Sequence, residues 1–138
     1  MALKASMKIL IVDHVSAMRG ATKTMLSKVG FKNLVETDCA EKAWKKIEEG
    51  IEEEEKVEFV ITELDLPSMS GIEFLQSIRS NPQTKGVPVL IVTGDAEQTR
   101  IVEAVKAGAN NFIVKPFSSQ VLQDKIAAIF QKSKKKAA

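Results

Sequence analysis

Five short apolar runs alternate with five amphipathic segments along this chain, and that alternation limits the fold more than any other feature. The runs are Ile9–Val12, Leu34–Thr37, Phe59–Thr62, Val89–Val92 and Phe112–Val114. Four of them are apolar almost throughout rather than at every second residue. A strand of that kind has both faces covered, as in a parallel sheet between helical layers. The second run, Leu34-Val35-Glu36-Thr37, is more polar and fits a sheet edge.

The intervening segments have helical spacing. Met18, Met25, Leu26 and Val29 share one face, with Gly30 as a C-terminal stop. Ala40, Ala43, Trp44 and Ile47 recur at helical intervals, with Gly50 behind them. Ser70 and Glu73 form a capping-box pair ahead of Ile72, Leu75 and Ile78, and Asn81-Pro82 closes that helix. Asp95 is placed to cap a fourth helix, with Ile101, Val102 and Val105 inward and Gly108 as its stop. Ser118 is placed to cap a fifth, striped by Leu122, Ile126, Ile129 and Phe130. Such regular alternation predicts right-handed crossovers and a doubly wound α/β sheet. Ligands bind these sheets beyond the carboxyl ends of the strands, where strand order reverses.

The 138 residues fit one domain, with a core over about 7–131 and a basic tail at 132–138. A formal net charge of +2 gives no global attraction for nucleic acid or acidic substrates. The acidic run Glu52–Glu55 and the lysine-rich tail read as a solvated loop and a solvated end. A single cysteine, Cys39, excludes an internal disulfide and a Cys-rich zinc site. The first residues do not resemble a secretory signal, and no apolar stretch approaches the roughly 20 residues that span a bilayer. Neither a helix-turn-helix nor a basic-aromatic surface is evident. A soluble cytoplasmic protein with no membrane or nucleic-acid partner is expected.

Four polar residues close apolar runs: Asp13, Glu63, Thr93 and Lys115. Two neighbouring carboxylates repel and need a cation, which Lys115 can supply to Glu63. A divalent metal can serve too, since Mg²⁺ commonly uses one or two carboxylates plus phosphate oxygens. Thr93 can donate to an oxyanion, and Lys115 can neutralise charge on a transferred group. Together these are the parts needed for phosphoryl transfer onto a carboxylate.

The stretches Lys8–Asp13, Met18-Arg19, Phe59–Gly71, Val87–Thr93, Ala107-Gly108-Ala109 and Val114-Lys115-Pro116-Phe117 carry a family resemblance. From about Met7 to Phe130 the chain resembles a response-regulator receiver domain of the stand-alone chemotaxis type. The resemblance implies a flavodoxin-like (βα)5 fold with sheet order 2-1-3-4-5 and a cis bond before Pro116. It implies a role in two-component, phosphorelay signal transduction. It gives Asp13 the place of one member of an acidic pair, Thr93 the switching hydroxyl and Lys115 the phosphoryl-contacting lysine. Phe112 takes the place of the aromatic switch. The implied metal set is Asp13, Glu63 and the backbone carbonyl of Asp65. The implied partner is another protein, met through the fourth helix, fifth strand and fifth helix, with Ala104, Val105, Phe112 and Lys115 as candidates. A monomer is expected, and any cognate histidine kinase is not legible.

Two positions depart from the family pattern. Glu63 stands where the phosphoacceptor aspartate is expected, and His14 where the second acid is expected. The extra methylene carries the carboxylate about 1.5 Å further out, and in-line attack tolerates misplacement poorly. His14 removes a negative charge, so Mg²⁺ binding should be weak. Its imidazole can ligate a transition metal, although a partly exposed loop side chain is the plainer reading. The expectation is a pseudo-receiver, not an enzyme, that acts through protein contacts. Glu63 would be a partial phosphoryl mimic, since a carboxylate carries less charge and fewer oxygens than a phosphoryl group. An inactive-like docking module and residual phosphorylation of Glu63 are the other readings. From a different class, a phosphatase of the haloacid-dehalogenase type would use Asp13, Thr93 and Lys115. That type requires a second aspartate where Val15 stands, and room for a cap domain. A flavodoxin-like cofactor binder would need a phosphate-cradling loop where the chain has Asp13-His14-Val15-Ser16.

Overall fold

The computed structural model describes residues 5–94 and 98–137, and leaves aside the side chains of 132–137. In chain order its elements are β1 (Ile9–Val12), α1 (Ser16–Lys28), β2 (Leu34–Thr37), α2 (Ala40–Glu52) and β3 (Phe59–Glu63). There follow α3 (Gly71–Ser80), β4 (Val89–Thr93), α4 (Gln98–Lys106), β5 (Asn111–Val114) and α5 (Ser119–Ala137). The five strands are all parallel and lie in the order β2-β1-β3-β4-β5. This is the flavodoxin-like arrangement expected from the sequence, with the polar β2 at an edge.

Strand side chains alternate between faces, and here each face has its own core. Leu10, Val12, Val60, Val89 and Ile91 pack with Ala40, Ala43 and Ile47 of α2, Phe74, Leu75 and Ile78 of α3, and Ala104 of α4. Ile9, Ile11, Phe59, Ile61, Leu90, Val92 and Ile113 pack on the other side with Leu26 of α1 and Leu122, Ile126, Ile129 and Phe130 of α5. Phe59 and Phe130 meet edge to face with centroids 5.5 Å apart. Double coverage explains why the strands are apolar throughout.

Several helix faces differ from their sequence patterns. Val29 is exposed as the C-cap residue of α1, and Thr22 is buried in its stead, its hydroxyl donating to the Met18 carbonyl at 3.1 Å. In α4, Ala104 is buried while Val102 and Val105 are 39% and 53% exposed. A nine-residue helix that approaches the sheet through an alanine turns its neighbouring valines outward. In α3, Phe74 is fully buried and Ile72 only partly. The helix α2 runs through Gly50 and ends at Glu52. Gly50 is needed for contact instead, because a Cβ there would stand 2.6 Å from the Glu55 carbonyl oxygen.

The other stops are as expected. Gly30 at φ 106° ends α1 with bonds from the Gly30 and Phe31 amides to Ser27 and Leu26, and Gly108 at φ 111° repeats this after α4. The Ser70 hydroxyl accepts from the Glu73 amide at 3.2 Å, and Ser118 caps α5 through the Val121 amide at 3.2 Å. The Asp95 cap falls outside the described residues. Among the described residues, no helix is long and apolar enough to cross a membrane.

Candidate functional site

Register brings the four strand-end residues together. Val12 lies opposite Thr62, Glu63 opposite Val92 and Thr93 opposite Val114. Asp13, Glu63, Thr93 and Lys115 therefore share the carboxyl edge of four adjacent strands, beside the point where strand order reverses. Asp13, Glu63 and Thr93 are buried, at 4%, 6% and 1% exposure.

The Lys115 ammonium joins both acids. Its Nζ lies 3.2 Å from Asp13 Oδ2 and 3.1 Å from Glu63 Oε1. The other oxygen of each carboxylate is also engaged. Asp13 Oδ1 accepts from the Val15 amide at 2.9 Å. Glu63 Oε2 accepts from the His14 amide at 3.2 Å and lies 2.5 Å from His14 Nδ1. His14 is half-exposed, as expected of a loop residue, yet its imidazole is committed to Glu63 across 49 residues of chain. Nothing in the local pattern signals this pair, because its two residues lie on separate strand ends that only the fold brings together.

The turn after β3 holds Glu63 in place. The Leu64 amide donates to Val92 O, and the Gly71 amide returns to Leu64 O, both at 2.9 Å. A Cβ on Gly71 would stand 2.4 Å from the Glu63 carbonyl oxygen and 2.7 Å from Leu64 Cα. Only glycine lets the start of α3 lie so near the acid-bearing strand end.

Asp65 turns away from this cluster. Its carboxylate meets Arg100 of α4 at 2.5 Å, and the hydrogen bond from Arg100 holds its pKa below the ordinary value. Periodicity carried no signal for that pair. Phe112 is half-buried against the core, with Lys125 Nζ 4.7 Å above its ring. The Lys115–Pro116 bond is cis, as the resemblance implies.

Arg79, another residue not singled out by the sequence, ties two loops on the opposite edge. It donates to the carbonyls of Val87 at 2.6 Å and Gly108 at 2.8 and 3.0 Å, and to Asn110 Oδ1 at 2.9 Å. Burial lowers its pKa.

Asp13, His14 and Glu63 each offer one ligand atom within 4.8 Å of the others. The set expected from the sequence was Asp13, Glu63 and the Asp65 carbonyl; the side chains that converge are Asp13, His14 and Glu63. Mg²⁺ prefers oxygen donors. Here one of the three donors is an imidazole nitrogen, and a lysine already occupies one oxygen of each acid. This set does not fit Mg²⁺ as a purely carboxylate cradle would.

The family model for the response regulator receiver domain matches residues 9–127. The chain is 40% identical over 126 residues to the chemotaxis protein CheY of Pseudomonas aeruginosa, covering 91% of this chain and 98% of that one. A CheY-like receiver domain protein from Methanospirillum hungatei superposes with a TM-score of 0.80 at 28% identity, covering 95% and 98% of the two chains. The CheX-CheY-BeF3-Mg complex from Borrelia burgdorferi gives a TM-score of 0.80 at 21% identity, covering 89% and 88%. None of these matches supports the phosphatase alternative. With fold and sequence in agreement, this chain belongs to the response-regulator receiver family of two-component and chemotaxis signalling.

Proposed function

We propose that this receiver is a pseudo-receiver: it signals through protein contacts, without efficient phosphorylation, and Glu63 stands in part for the phosphoryl group. One observation carries the reading. Both oxygens of the buried Glu63 carboxylate are held, Oε1 by Lys115 and Oε2 by His14. An acceptor must present a free oxygen in line with the donor. This one is one methylene longer than an aspartate and tied on both sides. Lys115, which should neutralise an incoming phosphoryl group, is already neutralised by two carboxylates. The pairing that phosphorylation would create is thus supplied, at lower charge, by the side chain itself.

Protein partners follow from the family, and the Borrelia burgdorferi neighbour is itself a complex of CheY with CheX. The reading places docking on α4, β5 and α5, where Val102 and Val105 are exposed on α4 and Phe112 is half-buried on β5. Ala104 and Lys115 leave the candidate surface, one buried in the core and the other spent in the pocket.

The test is incubation with Mg²⁺ and acetyl phosphate, followed by intact mass. The wild type should gain no phosphoryl group, whereas Glu63→Asp combined with His14→Asp should gain one. A wild type labelled on Glu63 would overturn the pseudo-receiver reading.

A further inference from the structure

We propose that Asp13, His14 and Glu63 form a binding site for a divalent transition metal of the zinc or cobalt class, and that it selects such ions over Mg²⁺. The proposal rests on the geometry of the three side chains and stands whether or not Glu63 can be phosphorylated. One ligand atom from each lies within 4.8 Å of the other two. A first-row ion holds nitrogen and oxygen donors at about 2.0–2.2 Å, so donors sharing one ion stand roughly 3–3.5 Å apart. His14 Nδ1 and Glu63 Oε2 are 2.5 Å apart. A metal entering between them takes the place of the shared proton and spreads the pair by about 1 Å or less. The imidazole stays neutral, giving up its Nδ1 proton to solvent and taking one from solvent at Nε2.

The surrounding bonds suit this role. Lys115 holds Glu63 by Oε1, at 3.1 Å, which leaves Oε2 facing the imidazole. Asp13 is oriented by Lys115 at Oδ2 and by the Val15 amide at Oδ1. Bonds of this kind fix the direction of metal-ligating carboxylates. Half-exposed His14 gives an ion a way in from solvent.

The donor types choose the ion. Two carboxylates against one lysine leave a single net negative charge, a small attraction for a hard, strongly hydrated cation such as Mg²⁺. Imidazole nitrogen adds little for Mg²⁺ but is a favoured ligand for cobalt, nickel, copper and zinc. His14 is the only histidine in the chain, so binding that needs an imidazole can come from nowhere else. Cys39 is the only thiol and the rival soft ligand.

The experiment is calorimetric titration of tag-free protein with Co²⁺, Zn²⁺ and Mg²⁺, with the visible spectrum of bound Co²⁺ recorded in parallel. Co²⁺ and Zn²⁺ should bind one per chain, at least about 100-fold more tightly than Mg²⁺. His14→Ala should weaken Co²⁺ at least about tenfold and change its spectrum. His14→Asp should raise Mg²⁺ affinity and lower that of Co²⁺, while Cys39→Ser should leave both unchanged. Thermal unfolding of the metal-free variants shows that they fold. The proposal is overturned by undiminished Co²⁺ binding in His14→Ala, by loss of binding in Cys39→Ser, or by wild-type Mg²⁺ affinity within tenfold of Co²⁺.

Discussion

Replacing Lys115 with methionine keeps most of the side-chain stem and removes the cation that Asp13 and Glu63 share. Its Nζ is 3.2 Å from one carboxylate and 3.1 Å from the other, and the three side chains are 13%, 6% and 7% exposed. At an effective dielectric of about 20, each contact is worth roughly 5 kcal/mol of Coulomb attraction before desolvation is subtracted. Breaking a buried pair by removing one partner commonly costs about 3–5 kcal/mol, because the surviving charge is left uncompensated. His14 remains beside Glu63 and opens the pocket to water, so Lys115→Met should cost about 3 kcal/mol, the lower end of that range. The assay is urea unfolding at neutral pH, reading the midpoint at constant slope. A double-mutant cycle with Glu63→Gln isolates the pair, and the double variant should be more stable than the sum of the singles by at least about 1 kcal/mol. A cost under about 0.5 kcal/mol, or additivity within that margin, would mean that solvent screens the pocket. The account of a lysine-neutralised Glu63 would then be wrong.

The remaining predictions concern the scaffold. Gly71→Ala should destabilise by about 1–3 kcal/mol, because its Cβ meets backbone that cannot step aside. Gly20→Ala, in α1 with nothing within 4 Å of its Cβ, should instead stabilise by about 0.5–1 kcal/mol in the same urea assay. Arg79→Ala should cost about 1.5–3 kcal/mol, since it strips charge-assisted bonds from the carbonyls of Val87 and Gly108. Arg79→Lys should recover less than half of that, because an ammonium cannot reproduce the planar fork; equal stability of the Lys variant and wild type would refute the bidentate role.

Elements that depend on local period were legible in the chain. Runs such as Ile9–Val12 and Val89–Val92 announced strands covered on both faces, and Gly30 and Gly108 marked helix ends through the backbone conformation they permit. The strand-end positions of Asp13, Glu63, Thr93 and Lys115 followed from the same alternation, since each closes or directly follows a strand. Apart from Lys115 with Glu63, side-chain partners were not legible. Glu63 with His14, Asp65 with Arg100 and Arg79 with Gly108 are 49, 35 and 29 residues apart, and each joins flexible polar groups whose meeting depends on where loops return. The face that α4 turns inward departs from its hydrophobic pattern for a related reason. Hydrophobicity favoured Val102 and Val105, but close approach of the helix to the sheet selected the small Ala104. Periodicity records which residues avoid water on average, whereas shape and distance between elements decide which of them reach the core. The sequence by itself thus determined the sheet, its double layer of helices and the residue types at its edge. Only the tertiary structure decided that the acid at the centre of that edge, held by its expected lysine on one oxygen, is held by an imidazole on the other, because that choice is made by contacts across the fold.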